Sequence, residues 1–136
     1  MDVEIREATM RDAAAVQGLL RSLRGVWQDS WRTDVVERAI VSASELAMVA
    51  VRGDAVIGFV CAHDVGFRAY LSELAVSESE QGSGLGTELL YRVEERLGQR
   101  GCSVLIADVY PPAEGFYRKL GWSDPAAILL RLRIRS

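Results

Sequence analysis

The 136 residues are 49% apolar and 26% charged with a net charge of −3, the profile of one domain, 1–136, with a core of its own. The acidic balance argues against a nucleic-acid surface. The polar start "MDVEIREA" and the absence of a long apolar run argue against a secretory h-region and a membrane span. Cys61 and Cys102 make no disulfide framework and suit a reducing compartment, so a cytoplasmic location is expected.

In chain order, "VEIREA" (3–8) reads as a strand. Thr9 with Asp12 three residues on resembles a capping box, with Asp in place of the usual Glu or Gln. Val16, Leu19, Leu20 and Leu23 recur at helical spacing. "GVWQDSWRTD" (25–34) breaks the pattern, and "DVVERAIVSA" (34–43) predicts a second helix. Residues 45–64 hold two apolar runs around Gly53-Asp54, a hairpin signal. "AYLSELAV" (69–76) is a further strand.

Next comes "QGSGLG" (81–86), then Leu85, Leu89, Leu90, Val93 and Leu97 on one helical face. Glu88 and Arg92 stand four apart in the favourable order, with Arg96, Arg100 and Gly101 at the helix end. "CSVLIADVY" (102–110) reads as a buried-type strand, and Pro111-Pro112 end it and open a short helix over 113–121. Ile128, Leu130, Leu132 and Ile134 alternate with Leu129, Arg131, Arg133 and Arg135, which predicts a last strand with one buried face. The order β-α-α-β-β-β-α-β-α-β implies an α/β (α+β) fold with a mixed central sheet.

Three glycines at a helix start suit a close approach of backbone to an anion, since free N–H groups and the helix dipole converge there, and a glycine-rich turn with no ligand is the alternative. A P-loop is excluded because no lysine follows Gly86. A dinucleotide fingerprint needs G-x-G-x-x-G after a first strand, whereas the spacing is G-x-G-x-G late in the chain. "LAVSESEQGSGLGTELL" resembles the coenzyme A signature of the GNAT acyltransferases, Q/R-x-x-G-x-G/A, through Gln81, Gly84 and Gly86. The family's second mark, a strand, a short helix and an "FY-x-K-L-G-F" ending, resembles "ADVYPPAEGFYRKLGW", with Phe116, Tyr117, Lys119, Leu120, Gly121 and Trp122 in place. Tyr110 stands where many members carry Asn, and the tail after Gly121 is short for the usual closing hairpin.

The resemblance implies the GNAT acyl-CoA N-acyltransferase fold, with helices on both faces of the sheet, and acetyl-CoA as the acyl donor. It implies that strand 69–76 splays from strand 102–110 and that the pantetheine arm threads the gap. Backbone groups of Leu74, Ala75 and Val76 would then hold the arm, and one N–H would polarise the thioester carbonyl on the way to a tetrahedral intermediate. Gln81, Gly82, Ser83, Gly84, Leu85, Gly86 and Thr87 would cradle the pyrophosphate. Tyr110, Ala113, Phe116 and Tyr117 would complete the cofactor site. No metal is implied, and the single histidine, His63, offers no metal set.

The acceptor is expected to be a primary amine of a small molecule or peptide, which must lose a proton before it attacks. Neutralising a lysine-like amine at pH 7 costs about 4–5 kcal/mol, and an α-amino group about 1 kcal/mol. Glu73 is the candidate base, against a structural carboxylate paired with an arginine. Tyr117 is the candidate hydrogen-bond donor to the departing thiolate, against a tyrosine that only packs the short helix. Cys61 and His63, two apart on a strand, read as a buried thiol beside a pocket-lining histidine rather than as a nucleophile pair. Trp27, Asp29, Trp31 and Arg32 lie where the family roofs its acceptor site, and a hydrophobic clamp over the core explains the tryptophans equally well. An N-acetyltransferase is the leading expectation, and a non-catalytic acyl-CoA-binding regulatory module is the alternative. A homodimer is compatible with the chain; nucleic-acid and membrane partners are not expected.

Overall fold

The computed structural model describes residues 2–135. Strand β1 (Val3–Glu7) leads through a 3₁₀ turn, Met10–Asp12, into helix α1 (Ala13–Ser22). The expected cap forms around Asp12. Its carboxylate accepts the Thr9 amide at 2.7 Å and both Arg6 guanidinium nitrogens at 2.9 Å. Those donors, Arg6 first, hold this carboxyl below the usual carboxylate range despite its burial.

Helix α2 (Val35–Ala43), strands β2 (Ala47–Arg52), β3 (Ala55–Asp64) and β4 (Ala69–Val76), and helix α3 (Leu85–Gln99) follow. Gly53 turns the β2–β3 hairpin at φ 63°, as its sequence position requires. Strand β5 is Leu105–Ile106, and a 3₁₀ turn, Pro111–Ala113, opens helix α4 (Glu114–Lys119). The sheet order is β1-β2-β3-β4-β5, antiparallel except for the parallel β4–β5 pair.

Helices lie on both faces. A Cβ added to Gly58 would stand 3.0 Å from Leu89 Cδ1, so α3 covers that position closely. Cys61, three residues on and therefore on the other face, sends its thiol to the Ala39 carbonyl of α2 at 3.7 Å. Val49, Phe59, Val60, Leu89, Leu90 and Val93 are buried between these layers. Each contributes on the order of 1.5–3 kcal/mol by leaving water.

Two expectations are corrected. The strand over 102–110 is only Leu105–Ile106, because pairing with β4 ends at Tyr70 opposite Ile106. Beyond it the Asp108 side chain takes the Tyr70 hydroxyl, and Pro111 and Pro112 have no N–H to give a ladder. The strand over 128–134 is absent. Ile128, Leu130, Leu132 and Ile134 are 81–86% exposed, because a two-residue terminal strand leaves the alternation almost no ladder to join.

Candidate active site

The site is built where β4 and β5 part. The two pair only at Ala69–Leu105 and Tyr70–Ile106, while β4 runs on to Val76. Leu74, Ala75 and Val76 therefore border an opening that β5 does not fill. A register shift in the β3–β4 ladder leaves Ser72 as an extra residue, so Cys61 faces Glu73 while Ala62 faces Leu71. This bulge sets Glu73 on the sheet face that carries Cys61 and α2.

Glu73 is largely buried, and that burial pushes its carboxyl up to about 7; the nearby Asp108 charge acts in the same direction. It has no arginine partner among the described residues, so it is not the paired structural carboxylate that sequence reasoning set against the base. Tyr117, on α4, lies within reach of the Glu73 charge. Its hydroxyl is pushed up to about 12, first by burial and then by Glu73, so it stays a donor at any physiological pH. The ring is wedged between Phe116 and Trp122, edge to face at 5.1 Å from each.

The glycine loop joins the same opening from the end of β4. Gln81 Nε2 donates to the Val76 carbonyl at 3.0 Å, folding the loop back onto the strand. Arg52 pairs with Glu80 at 2.7 Å and ties the preceding turn to β2. Gly84 is the N-cap of α3 at φ 89°, ψ 2°, a left-handed conformation, and a Cβ there would meet open space. The first helical bond runs from the Glu88 amide to the Gly84 carbonyl at 3.0 Å. The amides of Leu85, Gly86 and Thr87 precede it and are the donors an anion could use. Gly86 has a different reason. A Cβ there would touch Phe116 Cζ at 3.4 Å and Val76 Cγ2 at 3.6 Å, so its lack of a side chain lets α4 close on the helix start.

Several residues escaped sequence reasoning. Asp108 and Tyr70 carry no local motif and meet only across the β4–β5 gap. Ser72 donates to the Cys61 carbonyl at 3.1 Å, so the His63 Nε2 contact at 2.7 Å makes His63 the donor there. His63 Nδ1 then accepts from Ser42 at 3.0 Å. Burial lowers the His63 pKa and raises the Cys61 thiol to about 11, which agrees with an inert thiol beside a neutral histidine. Glu37 of α2 keeps one buried carboxylate oxygen without a hydrogen-bond partner in the structure.

The segment 25–34 is only partly brought together. Trp27 and Trp31 meet edge to face at 5.2 Å, and the Arg21 guanidinium sits 4.1 Å over the Trp27 ring. Asp29 and Arg32 are exposed. Among the described residues, no hydrogen bond or ion pair joins their side chains to Glu73. Tyr110 is also exposed, and Ala113 donates its amide to the Tyr110 carbonyl at 2.9 Å.

The model of the acetyltransferase (GNAT) family matches residues 13–122. The chain belongs to this family. Among similar proteins, an acetyltransferase of Yersinia enterocolitica is 28% identical over 102 residues, 73% of this chain and 72% of that one. The glucosamine 6-phosphate N-acetyltransferase of Candida albicans is 32% identical over 62 residues, 46% of this chain but only 42% of that protein. The fold is shared with the PaiA N-acetyltransferase of Thermoplasma acidophilum, solved in complex with coenzyme A (TM-score 0.81, 19% identity, 94% of each chain). As a GNAT-family member the chain is an acyltransferase whose donor is acetyl-CoA. The residues present fit that donor. The open Gly84 position and the amides of 85–87 suit a pyrophosphate, and the gap bordered by β4 suits an extended arm. No helix among the described residues is long and apolar enough to cross a membrane, and no three His, Cys, Asp or Glu side chains among them could together hold a metal ion.

Proposed function

We propose that the protein moves the acetyl group of acetyl-CoA directly to a primary amine of a small molecule or peptide, with Glu73 as base and Tyr117 as donor to the leaving sulfur. One observation carries the reading: a largely buried carboxyl raised to about 7 stands at the β4 bulge, beside the gap, with Tyr117 close by. The bound donor supplies an activated acyl carbon. Backbone groups of Leu74, Ala75 and Val76 hold the arm, and Gln81 through Thr87 hold the phosphates, with Tyr110, Ala113 and Phe116 at the outer wall.

Magnitudes decide how each side chain acts. A proton moving from a lysine-like ammonium to an ordinary carboxylate climbs about 8 kcal/mol, and to a carboxylate near 7 about 4–5 kcal/mol. Raising Glu73 therefore removes roughly 3–4 kcal/mol from the deprotonation step. For Tyr117 the comparison runs the other way. With its pKa near 12 against about 8.5 for a thiol, full transfer to the thiolate is uphill by about 5 kcal/mol. Tyr117 stabilises the leaving sulfur by hydrogen bonding, and the proton reaches it later from solvent.

Glu73 and the nearby Asp108 charge make this end of the gap acidic, which favours a cationic amine. Arg21 already covers one face of Trp27, so that face is not a cation seat for the acceptor. Asp29 and Arg32 separate the acceptor classes. With free-thiol release measured over a panel of amino acids, polyamines, aminoglycosides and peptide N-termini, Arg32→Ala should abolish use of carboxylate-bearing acceptors and spare polyamines. Asp29→Ala should do the reverse. Unchanged relative kcat/KM in both variants would remove the 25–32 segment from the acceptor site. The free cysteines Cys61 and Cys102 agree with a cytoplasmic protein.

The base is tested by pH. Below about 7 Glu73 holds its proton and cannot accept another, so kcat/KM should fall as pH drops through 7. Glu73→Gln should lower kcat/KM for lysine-like amines about a hundredfold and erase that bend. Stability gives an independent sign. A carboxyl raised in the folded state stays neutral there while the unfolded chain ionises, so stability falls as pH rises from about 4.5 to about 7. Glu73→Gln should therefore gain on the order of 1–3 kcal/mol at pH 8 and little at pH 4. A bend that survives in Glu73→Gln assigns the base to another group.

A further inference from the structure

The register of β3 and β4 leaves one residue without a place in the ladder. Leu71 faces Ala62, Glu73 faces Cys61, and Ser72 stands between them with no partner on β3. Which residue is left out decides where Glu73 points. Were the pairing regular, Ser72 would face Cys61 and Glu73 would face Val60, on the α3 side of the sheet with Gly58. With the extra residue at Ser72, Glu73 instead shares the opposite face with Cys61. The other edge does nothing to fix this choice, because β5 pairing ends at Tyr70. The bulge is held from the β3 side.

A run of side chains does the holding. Ser72 Oγ donates to the Cys61 carbonyl at 3.1 Å and receives the His63 Nε2 proton at 2.7 Å. His63 Nδ1 takes the Ser42 hydroxyl of α2 at 3.0 Å. The Cys61 thiol reaches α2 as well, at the Ala39 carbonyl. We propose that His63 is a positioning residue: by bridging α2 to Ser72 it keeps the bulge at position 72, and so keeps the Glu73 carboxyl on the Cys61 face, beside the gap. The proposal rests on the reading of Glu73 as the base.

The chemistry of the ring suits the task. A neutral imidazole offers one donor and one acceptor at a fixed separation, which matches a hydroxyl at each end. Burial lowers the His63 pKa, so the ring is neutral at pH 7 and above. An aliphatic side chain of the same bulk would fill the space and make neither bond. Ser72 would then lose the contact that ties it to α2, and the extra residue could shift along β4.

The test follows the Glu73 carboxyl itself by carbon-13 NMR of glutamate-labelled protein, the signal being assigned by its loss in Glu73→Gln. In the unaltered protein the midpoint is expected at about 7. His63→Leu should bring it to about 6 or below as the carboxyl leaves its buried place. In the same variant kcat should fall about tenfold or more, with the acetyl-CoA KM within about twofold. His63→Gln offers an amide N–H and a carbonyl in place of the two ring nitrogens, and should recover both the midpoint and most of kcat. Ser72→Ala removes only the hydroxyl, should move the midpoint the same way, and carries the test if the leucine variant does not fold. The other titratable groups around Glu73 are Cys61 on β3, Tyr70 on β4, Asp108 beyond β5 and Tyr117 on α4, and none is altered.

A midpoint within about 0.3 of the unaltered value in every folded variant would overturn the proposal, as would an ordinary midpoint of about 4.3 in the unaltered protein. A kcat loss that His63→Gln does not recover would also overturn it. The base reading fails separately. If the midpoint moves in His63→Leu while Glu73→Gln keeps the bend in kcat/KM, His63 does hold the bulge and another group is the base.

Discussion

The loop at residues 76–87 follows strand β4 and the tail at 123–135 follows helix α4, and the two are held in opposite ways. The loop meets its needs from nearby residues. Gln81 returns to Val76, Gly84 adopts the left-handed cap, and Glu88 closes the first helical bond. Among the described residues the tail has no comparable hydrogen bonds along its own length; beyond Asp124, which pairs with Arg118 at 2.6 Å, its large apolar side chains are exposed. A helix terminus is completed by residues three to six positions away. A strand is completed only by another strand, whose position sequence spacing does not set.

The difference can be broken most severely at the loop. Gly84→Asp places a carboxylate among the donors meant for phosphate, and coenzyme A affinity should fall at least a hundredfold by calorimetry. The φ of 89° costs a non-glycine residue about 1 kcal/mol, so the fold should remain with only a modest loss of melting temperature. Unchanged affinity in the folded variant would move the phosphate site elsewhere.

Tyr117→Phe probes the wall the loop closes against. The ring contacts with Phe116 and Trp122 are kept and only the hydroxyl is lost. Turnover should drop about ten- to a hundredfold with acetyl-CoA affinity within about twofold, since the lost bond matters chiefly as charge develops on sulfur. Intact turnover, with chemistry rate-limiting, would leave Tyr117 a packing residue.

The smallest effect belongs to the tail. Leu132→Ser should change unfolding free energy by less than about 0.5 kcal/mol, because that side chain is 82% exposed. A loss above about 1.5 kcal/mol would mean that this side chain is packed.

Sequence alone determined the helices, the β2–β3 hairpin, the glycine cap and the donor class, because each depends on neighbours a few residues apart. Leu85, Leu89, Leu90, Val93 and Leu97 could be read as one buried face, and they are one. Glu73 and Tyr117 were legible as candidates through their places in two motifs. What raises Glu73 was not legible, since its burial, the larger cause, follows from the packed sheet, and Asp108, the lesser one, lies 35 positions away in the sequence. The bulge at Ser72, the tautomer of His63 and the early end of β5 were likewise decided by which strands meet in space. Tertiary structure also decided the fate of the tail: its alternation specifies a buried face, but burial needs a second surface, and Ile128, Leu130, Leu132 and Ile134 stay exposed in the fold.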